Sequence, residues 1–438
     1  GLDRGRAARF VRAVACAVAV AIAGCGAAAP GPTPTADSGA ALPDSPTRGV
    51  NEFRHVPAEY VVLVSFDGFR HDYFDLYETP AFDRVIVRGA AAEGLIPPFP
   101  SLTFPSHYTL ATGLWPGSHG LVGNRFFDPA RGDGYDYRDA ADVGDGTWYG
   151  GEPIWATAEK QGMVAASYFW VGSEAEIAGA RPSYWYRYDG SVSGEAKVDR
   201  VLEWLAMPEA RRPHMITLYF SDVDGAGHAH GPLSAEVEAA VRRVDGYLDR
   251  LIRGLSLLPH GDRVNLVLVS DHGMAASPAA DAVLVDLAEH PGARFVGGGG
   301  VGWIFAGEGA TRRDLEALHA SVRAQVPEDV GVYLREDLPD SLHLAGTDRA
   351  GDIVLVPPTG VAVLPAGGTP RDTWSHGWAP GDRDMWGIFV ASGPAIPEGA
   401  RLRAFESIHI YPFVAALLDL EPADVDGSIE VLGDLIRR

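Results

Sequence analysis

Three apolar runs in this chain end in acids, or in acids with histidines. VVLVSF runs into Asp67-Gly68, MITLYF into SDVDGAGH with Asp224 and His228, and VNLVLVS into Asp271-His272. A fourth piece, WSHG, adds His376. Carboxylate and imidazole are ligands for hard-to-borderline cations, and no cysteine competes with them in these stretches. Acids gathered at neighbouring strand ends repel one another unless something positive lies between them. Each piece alone has a plainer use, since an Asp after a strand commonly shapes a turn or caps a helix. An adjacent acid and imidazole, as in Asp271-His272, is harder to explain as packing, and together the four pieces point to a metal centre. Asp222 and His230 lie two residues outside the Asp224/His228 pair and compete with it. The Gly-Ala-Gly between Asp224 and His228 favours the inner pair, because it lets the backbone bring both side chains to one ion.

Such a centre needs a nucleophile to do hydrolysis. Hydroxyls cluster in PPFPSLTFPSH, residues 97–107, where Pro105 suits the first turn of a helix and Thr103 its cap. Free N–H groups at a helix start favour an anion such as phosphate. Thr103 is therefore the leading hydroxyl, with Ser101 and Ser106 as rivals and simple capping as the alternative.

These residues must be held by the elements around them. Strand-like runs cover 60–66, 163–169, 215–220, 264–270, 352–356 and 387–391; helix-like stretches cover 105–112, 153–161, 197–206, 234–255 and 408–418. Strands separated by helices predict an α/β sandwich with a largely parallel central sheet flanked by helices. In such sheets ligands bind beyond the carboxyl ends of the strands, where the acids fall. Residues from about 293 to 346 predict a small inserted subdomain beside the site mouth. Its GGGGVG stretch does not follow the first strand of a βαβ unit, so it is taken as a flexible loop rather than a dinucleotide loop.

Composition sets the outer limits. The chain has 438 residues, 46% hydrophobic and 21% charged, which excludes a disordered chain and a polytopic membrane protein. A formal net charge of -22 leaves no general basic field for wrapping nucleic acid. Two cysteines exclude a disulfide scaffold. Arg4, Arg6, Arg9 and Arg12 precede or enter an apolar run over 11–23, too short for a comfortable membrane span, that ends in IAGC with Cys25. This resembles the bacterial lipobox. It predicts a lipoprotein signal over 1–24, a lipid anchor on Cys25 that holds the exported protein at a membrane, and a flexible tether over 25–58. A catalytic domain is then expected over 59–438.

Five ordered motifs carry a family resemblance: SFDGFRHDY at 65–73, TFPSHYTLATGLWPGSHGLVGN at 103–124, YFSDVDGAGHAHGP at 219–232, SDHGM at 270–274 and SHGW at 375–378. They resemble the nucleotide pyrophosphatase/phosphodiesterase family of the alkaline phosphatase superfamily, over about 60–420. The resemblance implies an alkaline-phosphatase-like fold and two Zn2+ ions. One would be held by Asp67, Asp271, His272 and the Thr103 hydroxyl, the other by Asp224, His228 and His376. It also implies that Thr103 is the nucleophile, forming a phospho-threonine intermediate, and that Asn124 donates to a phosphate oxygen. His107 and His119 fall outside the ligand set and are expected to be structural. Phe104 and Tyr219, with Trp170 as a third candidate, are expected to form an aromatic slot for a nucleobase or other organic group. The implied substrate is a small phosphodiester or nucleotide. Related activities stand as alternatives: a phosphomonoesterase, a phosphonoacetate-type hydrolase, or a phosphocholine-releasing lipid phosphodiesterase. A non-catalytic surface binding protein is a further alternative, against which the complete set of seven site residues argues.

Overall fold

The computed structural model describes residues 49–437. The expected signal, Cys25 and the tether as far as residue 48 lie outside the described residues. The chain is packed earlier than Glu59. Asn51 is buried, donates to the carbonyls of Glu209 and Arg212, and accepts from the Val164 N–H. Residues 51–58 thus belong to the folded part, not to the tether.

Eight strands form the central sheet: β1 (Tyr60–Phe66), β2 (Ala90–Ala92), β3 (Ala165–Tyr168), β4 (Tyr184–Tyr186), β5 (Met215–Phe220), β6 (Val264–Val269), β7 (Phe389–Ser392) and β8 (Ala400–Leu402). Their order is β8-β2-β7-β6-β1-β5-β3-β4. Only β7 runs against the others; it pairs antiparallel with both β6 and β2. The sheet is largely parallel, as the alternation of strands and helices predicts.

Both faces are covered by helices. Tyr60, Val62, Val64 and Phe66 of β1 point into one apolar cluster, with Phe82 and Val85 of α1 (Pro80–Arg88), Val198 and Val201 of α4 (Gly194–Leu205), and Val241 and Leu248 of α6 (Ala235–Leu257). Val61 and Leu63 point into the other, with Leu110 of α2 (Thr103–Thr112), Trp155 of α3 (Ile154–Lys160), and Phe413 and Val414 of α7 (Ile410–Leu417). This alternation of a fully buried strand is what makes β1 apolar at every position. Each such aliphatic side chain, fully buried, contributes about 1.5–3 kcal/mol.

A smaller four-stranded antiparallel sheet is built from Arg294–Gly297, Gly302–Phe305, Ile353–Val356 and Gly331–Leu334, with the helix Arg312–Gln325 against it. It extends beyond residue 346, because the run at 352–356 joins this sheet rather than the central one. The glycines of GGGGVG form the connection between its first two strands, with Gly297, Gly298 and Gly299 all at positive φ.

Candidate metal centre

The three central neighbours β6, β1 and β5 deliver the acids side by side. Asp67 follows β1, and Asp271-His272 follows β6 after one residue. After β5 the chain turns directly into α5 (Asp222–His230), a short helix. Asp224 and His228 therefore meet as i and i+4 neighbours on one helical face, not across a glycine turn as their spacing suggested. Asp222 and His230 point elsewhere. Asp222 accepts from Arg243 and Tyr247 at 3.3 Å, and His230 is exposed. His376 comes from the loop after the short strand Thr373–Ser375.

One contact fixes how closely these elements pack. Gly68 has φ +69°, and a Cβ there would lie 2.8 Å from the Asp224 Cα. The Asp224 N–H donates to the Asp67 carbonyl at 3.0 Å across the same gap. Only glycine allows the end of β1 and the start of α5 to touch in this way.

Two ligand groups result: Asp67, Asp271 and His272, and Asp224, His228 and His376, each with ligand atoms within 4.8 Å of one another. The Thr103 hydroxyl, on the first residue of α2, lies 3.2 Å from His272 Nε2. The rings of His272 and His376 stack at 3.5 Å, so the two groups adjoin.

The donor set fits cations. His228, His272 and His376 each present Nδ1 to a carbonyl, of Trp374, Gly273 and Ser101 respectively, at 2.8–2.9 Å. A carbonyl only accepts, so Nδ1 carries the hydrogen and Nε2 carries a lone pair in each neutral ring. The Nε2 atoms of His228 and His376 then face each other at 3.2 Å, an arrangement that favours a cation between them. One oxygen on each carboxylate, Asp67 Oδ1, Asp224 Oδ1 and Asp271 Oδ2, is buried with no hydrogen-bond partner. Leaving such groups unpaired costs about 1–3 kcal/mol each, more when charged, so a dication is the natural partner for all of them.

The protonation states of the metal-free centre agree. Burial, then the charges of Asp271 and Asp224, pushes the Asp67 carboxyl well above the usual range. For Asp271 burial acts upward too, but His272 and His107 outweigh it and hold it well below. Close carboxylates resist ionising together without a counter-charge, which is the direction of the Asp67 shift, and a cation would relieve it. Burial and the neighbouring His272 push His376 down to about 3, so it stays a neutral donor. For His228 burial acts downward, but Asp224 overcomes it and raises the ring.

The helix start differs from expectation. The Phe104 N–H is taken by Asn124 Oδ1 at 2.9 Å, Pro105 has none, and the Ser106 N–H bonds to the Leu102 carbonyl. The Phe104–Asn124 bond places the Asn124 side chain beside the start of α2, next to Thr103. Neither rival hydroxyl is presented to the ligand groups as Thr103 is. Ser101 Oγ donates to the Trp378 carbonyl and accepts from Gly377 N–H, whereas Ser106 is set apart by burial alone, its Oγ enclosed without a hydrogen-bond partner.

The aromatic slot also needs correction. Trp170 is a core residue that donates from Nε1 to the His107 carbonyl. Tyr219 is buried, and its hydroxyl donates to Asp67 Oδ2 at 2.5 Å. Neither offers a face to a ligand. Phe104 is half-buried, with its ring 5.4 Å from Tyr137. An exposed aromatic beside Tyr219 is Tyr188, 54% accessible, with its ring 6.2 Å from that of Tyr219. It sits just after β4 in a run already rich in aromatics, YWYRY, and no local pattern separated it from its neighbours. His107 is likewise more than structural filling. It donates from Nδ1 to the Thr103 carbonyl, accepts at Nε2 from Ser65, and lies 3.2 Å from Asp271 Oδ2. His119 bonds to Thr109 and accepts from the Leu121 N–H, away from the ligand groups.

An α/β sandwich with carboxylates and imidazoles beyond three central strands, and a hydroxyl on a helix start against them, has the donor set that a metal-dependent hydrolase site requires. Residues 61–380 match the family described as type I phosphodiesterase / nucleotide pyrophosphatase, and the chain belongs to that family. It is 33% identical to ectonucleotide pyrophosphatase/phosphodiesterase family member 1 of Mus musculus, over 87% of this chain and 44% of that protein. It is 34% identical to an uncharacterized pyrophosphatase/phosphodiesterase of Schizosaccharomyces pombe, over 87% of this chain and 80% of the other. The chain thus spans less than half the length of the mammalian relative. Among solved structures it is similar to murine ectonucleotide pyrophosphatase / phosphodiesterase 5, an inactive threonine-to-alanine variant in complex with AMP. That likeness has a TM-score of 0.79 and 29% identity, over 86% of this chain and all of the other.

Proposed function

We propose that this protein hydrolyses phosphodiester or phosphoanhydride bonds of small nucleotide-type substrates, with Thr103 as nucleophile. The observation that carries this is the Thr103 hydroxyl against His272, beside three orphaned carboxylate oxygens and three imidazole lone pairs. Asp67, Asp271, His272 and Thr103 would hold one Zn2+ and Asp224, His228 and His376 another. When bound, such ions lower the pKa of a coordinated hydroxyl and offset charge that develops on phosphoryl oxygens.

Thr103 Oγ attacks phosphorus, the bond to the leaving oxygen breaks, and a phosphoryl-threonine ester forms. The Thr103 proton passes to solvent in this step and the departing oxygen takes one up. Water then attacks the same phosphorus, loses one proton, and the Thr103 oxygen leaves and is reprotonated. His107 holds the Thr103 backbone through its carbonyl, which orients the attacking oxygen. Asn124, anchored by the Phe104 N–H, directs its NH2 at the phosphoryl oxygens. Phe104 directly follows the nucleophile and the exposed Tyr188 lies edge-on against Tyr219, whose hydroxyl meets Asp67, and these two rings favour a substrate carrying a flat organic group. The AMP complex of the murine relative supports a nucleotide for that place.

The chain is also proposed to be exported and held at a membrane through a lipid on Cys25, the reading its N-terminal sequence favours. Mass analysis of Cys25 in the natural host tests it; an unmodified Cys25 in the mature chain refutes it.

The enzyme assay is a substrate panel. Bis-p-nitrophenyl phosphate and a nitrophenyl nucleotide ester should be cleaved much faster than p-nitrophenyl phosphate. EDTA should abolish the activity and Zn2+ restore it, and Thr103→Ala should lose at least about 1,000-fold. A strong monoester preference, or full activity in Thr103→Ala, would refute the reading.

A further inference from the structure

Tyr219 was expected to face the substrate, and it faces the metal-binding acids instead. Its hydroxyl donates to Asp67 Oδ2 at 2.5 Å, while Asp67 Oδ1 is buried with no hydrogen bond and lies 3.4 Å from His272 Nε2. The two oxygens of one carboxylate are thereby given different tasks. One is saturated by a phenol, and the other is left open toward the ligand group.

The phenol is not free to move. The Tyr219 ring meets the His107 ring edge-to-face at 5.2 Å. His107 is itself held by Thr103 and Ser65 and touches Asp271. The Tyr219 carbonyl accepts from the buried ammonium of Lys197 at 3.3 Å. Lys197 stands over the rings of Phe169 and Phe220 at 5.4 and 5.3 Å, which pins the end of β5. Tyr219 is thus a rigid donor aimed at a single carboxylate oxygen, and Asp67 is the only ligand acid that receives a tyrosine hydroxyl among the described residues.

We infer that Tyr219 is a positioning residue of the proposed metal centre, which fixes Asp67 as a one-oxygen ligand and so sets cation affinity at the Asp67/Asp271/His272 group. The inference rests on the reading of that group as a metal site. Hydrogen-bond partners behind metal ligands characteristically change affinity by about 10- to 100-fold when removed. Without the hydroxyl, Asp67 Oδ2 has no donor, and the carboxylate is free to rotate and compete with its neighbours for the ion.

The test is Zn2+ affinity, measured by competition with a chromophoric chelator on the full chain, for wild type, Tyr219→Phe, Asp67→Asn and the double variant. Two binding steps are expected in wild type. Tyr219→Phe should weaken one step by about 10- to 100-fold and leave the other within about twofold. In the Asp67→Asn background the same change should add little, because the effect passes through Asp67. Equal weakening of both steps, no weakening, or full additivity with Asp67→Asn overturns the inference. So does a fall in the melting temperature measured in excess chelator, which would mark a general loosening of β5. Wild type that binds no divalent ion overturns instead the proposed function on which the inference stands.

Discussion

At the scale of single residues, the centre is held together by unequal treatment of similar groups. Three imidazoles share one tautomer because each has a carbonyl at Nδ1. Three carboxylates each keep one oxygen unpaired. The metal-free protein must therefore lose protons to take up a cation. Asp67 is raised by burial and its acidic neighbours, and His228 is raised by Asp224 against its burial. A group with a raised pKa holds its proton to higher pH, so the cation competes with that proton and affinity falls as pH falls. Chelator competition across about pH 8 to pH 5 should show Zn2+ affinity dropping steadily toward acid; a flat profile would contradict it. His376, pushed down to about 3 chiefly by burial, should not contribute to that loss. Asn124 makes its own prediction. Asn124→Ala should lower kcat by about 100- to 1,000-fold with a smaller change in KM, because its NH2 acts on charge that develops in the transition state. A change confined to KM would reassign it to ground-state binding.

At the scale of elements, the site depends on how closely strand ends and helix starts approach. The ligand residues were legible in the sequence because a parallel sheet puts them after apolar runs, and β1, β5 and β6 begin and end close to where the pattern placed them. Two things were not legible. SDVDGAGH reads as a turn from its glycines, yet it is helical, because α5 packs on α6 and its Gly227 lies against the Met274 sulfur. Tertiary packing overrode local propensity there. The burial of Trp170 and Tyr219 was not legible for a different reason. Burial decides whether a strand-end ring faces core or ligand, and the spacing of Phe104, Trp170 and Tyr219 carries no burial signal. Gly68 belongs to this scale. Gly68→Ala should destabilise the fold by at least about 2 kcal/mol, from left-handed strain and the clash with the Asp224 backbone. Urea denaturation checks it, and an unchanged midpoint would show that β1 and α5 can separate freely.

At the scale of the whole molecule, an acidic chain concentrates a few of its acids where cations would turn them into a receptor for phosphate. The surrounding sheet and helices keep those acids dry, which is why the net charge of -22 excludes nucleic-acid wrapping without excluding a nucleotide substrate. The second sheet, with Val301 and Trp303, packs into the cluster that contains Phe99 and borders Phe104, and so helps wall the approach to Thr103. In the proposed reaction Thr103 takes the phosphoryl group covalently before water does. The stereochemical course at phosphorus tests it most directly, using a chiral phosphorothioate diester hydrolysed in isotopically labelled water. Two successive in-line displacements, each inverting, should give net retention. Net inversion would mean that water attacks the substrate in one step, and would contradict the role of Thr103.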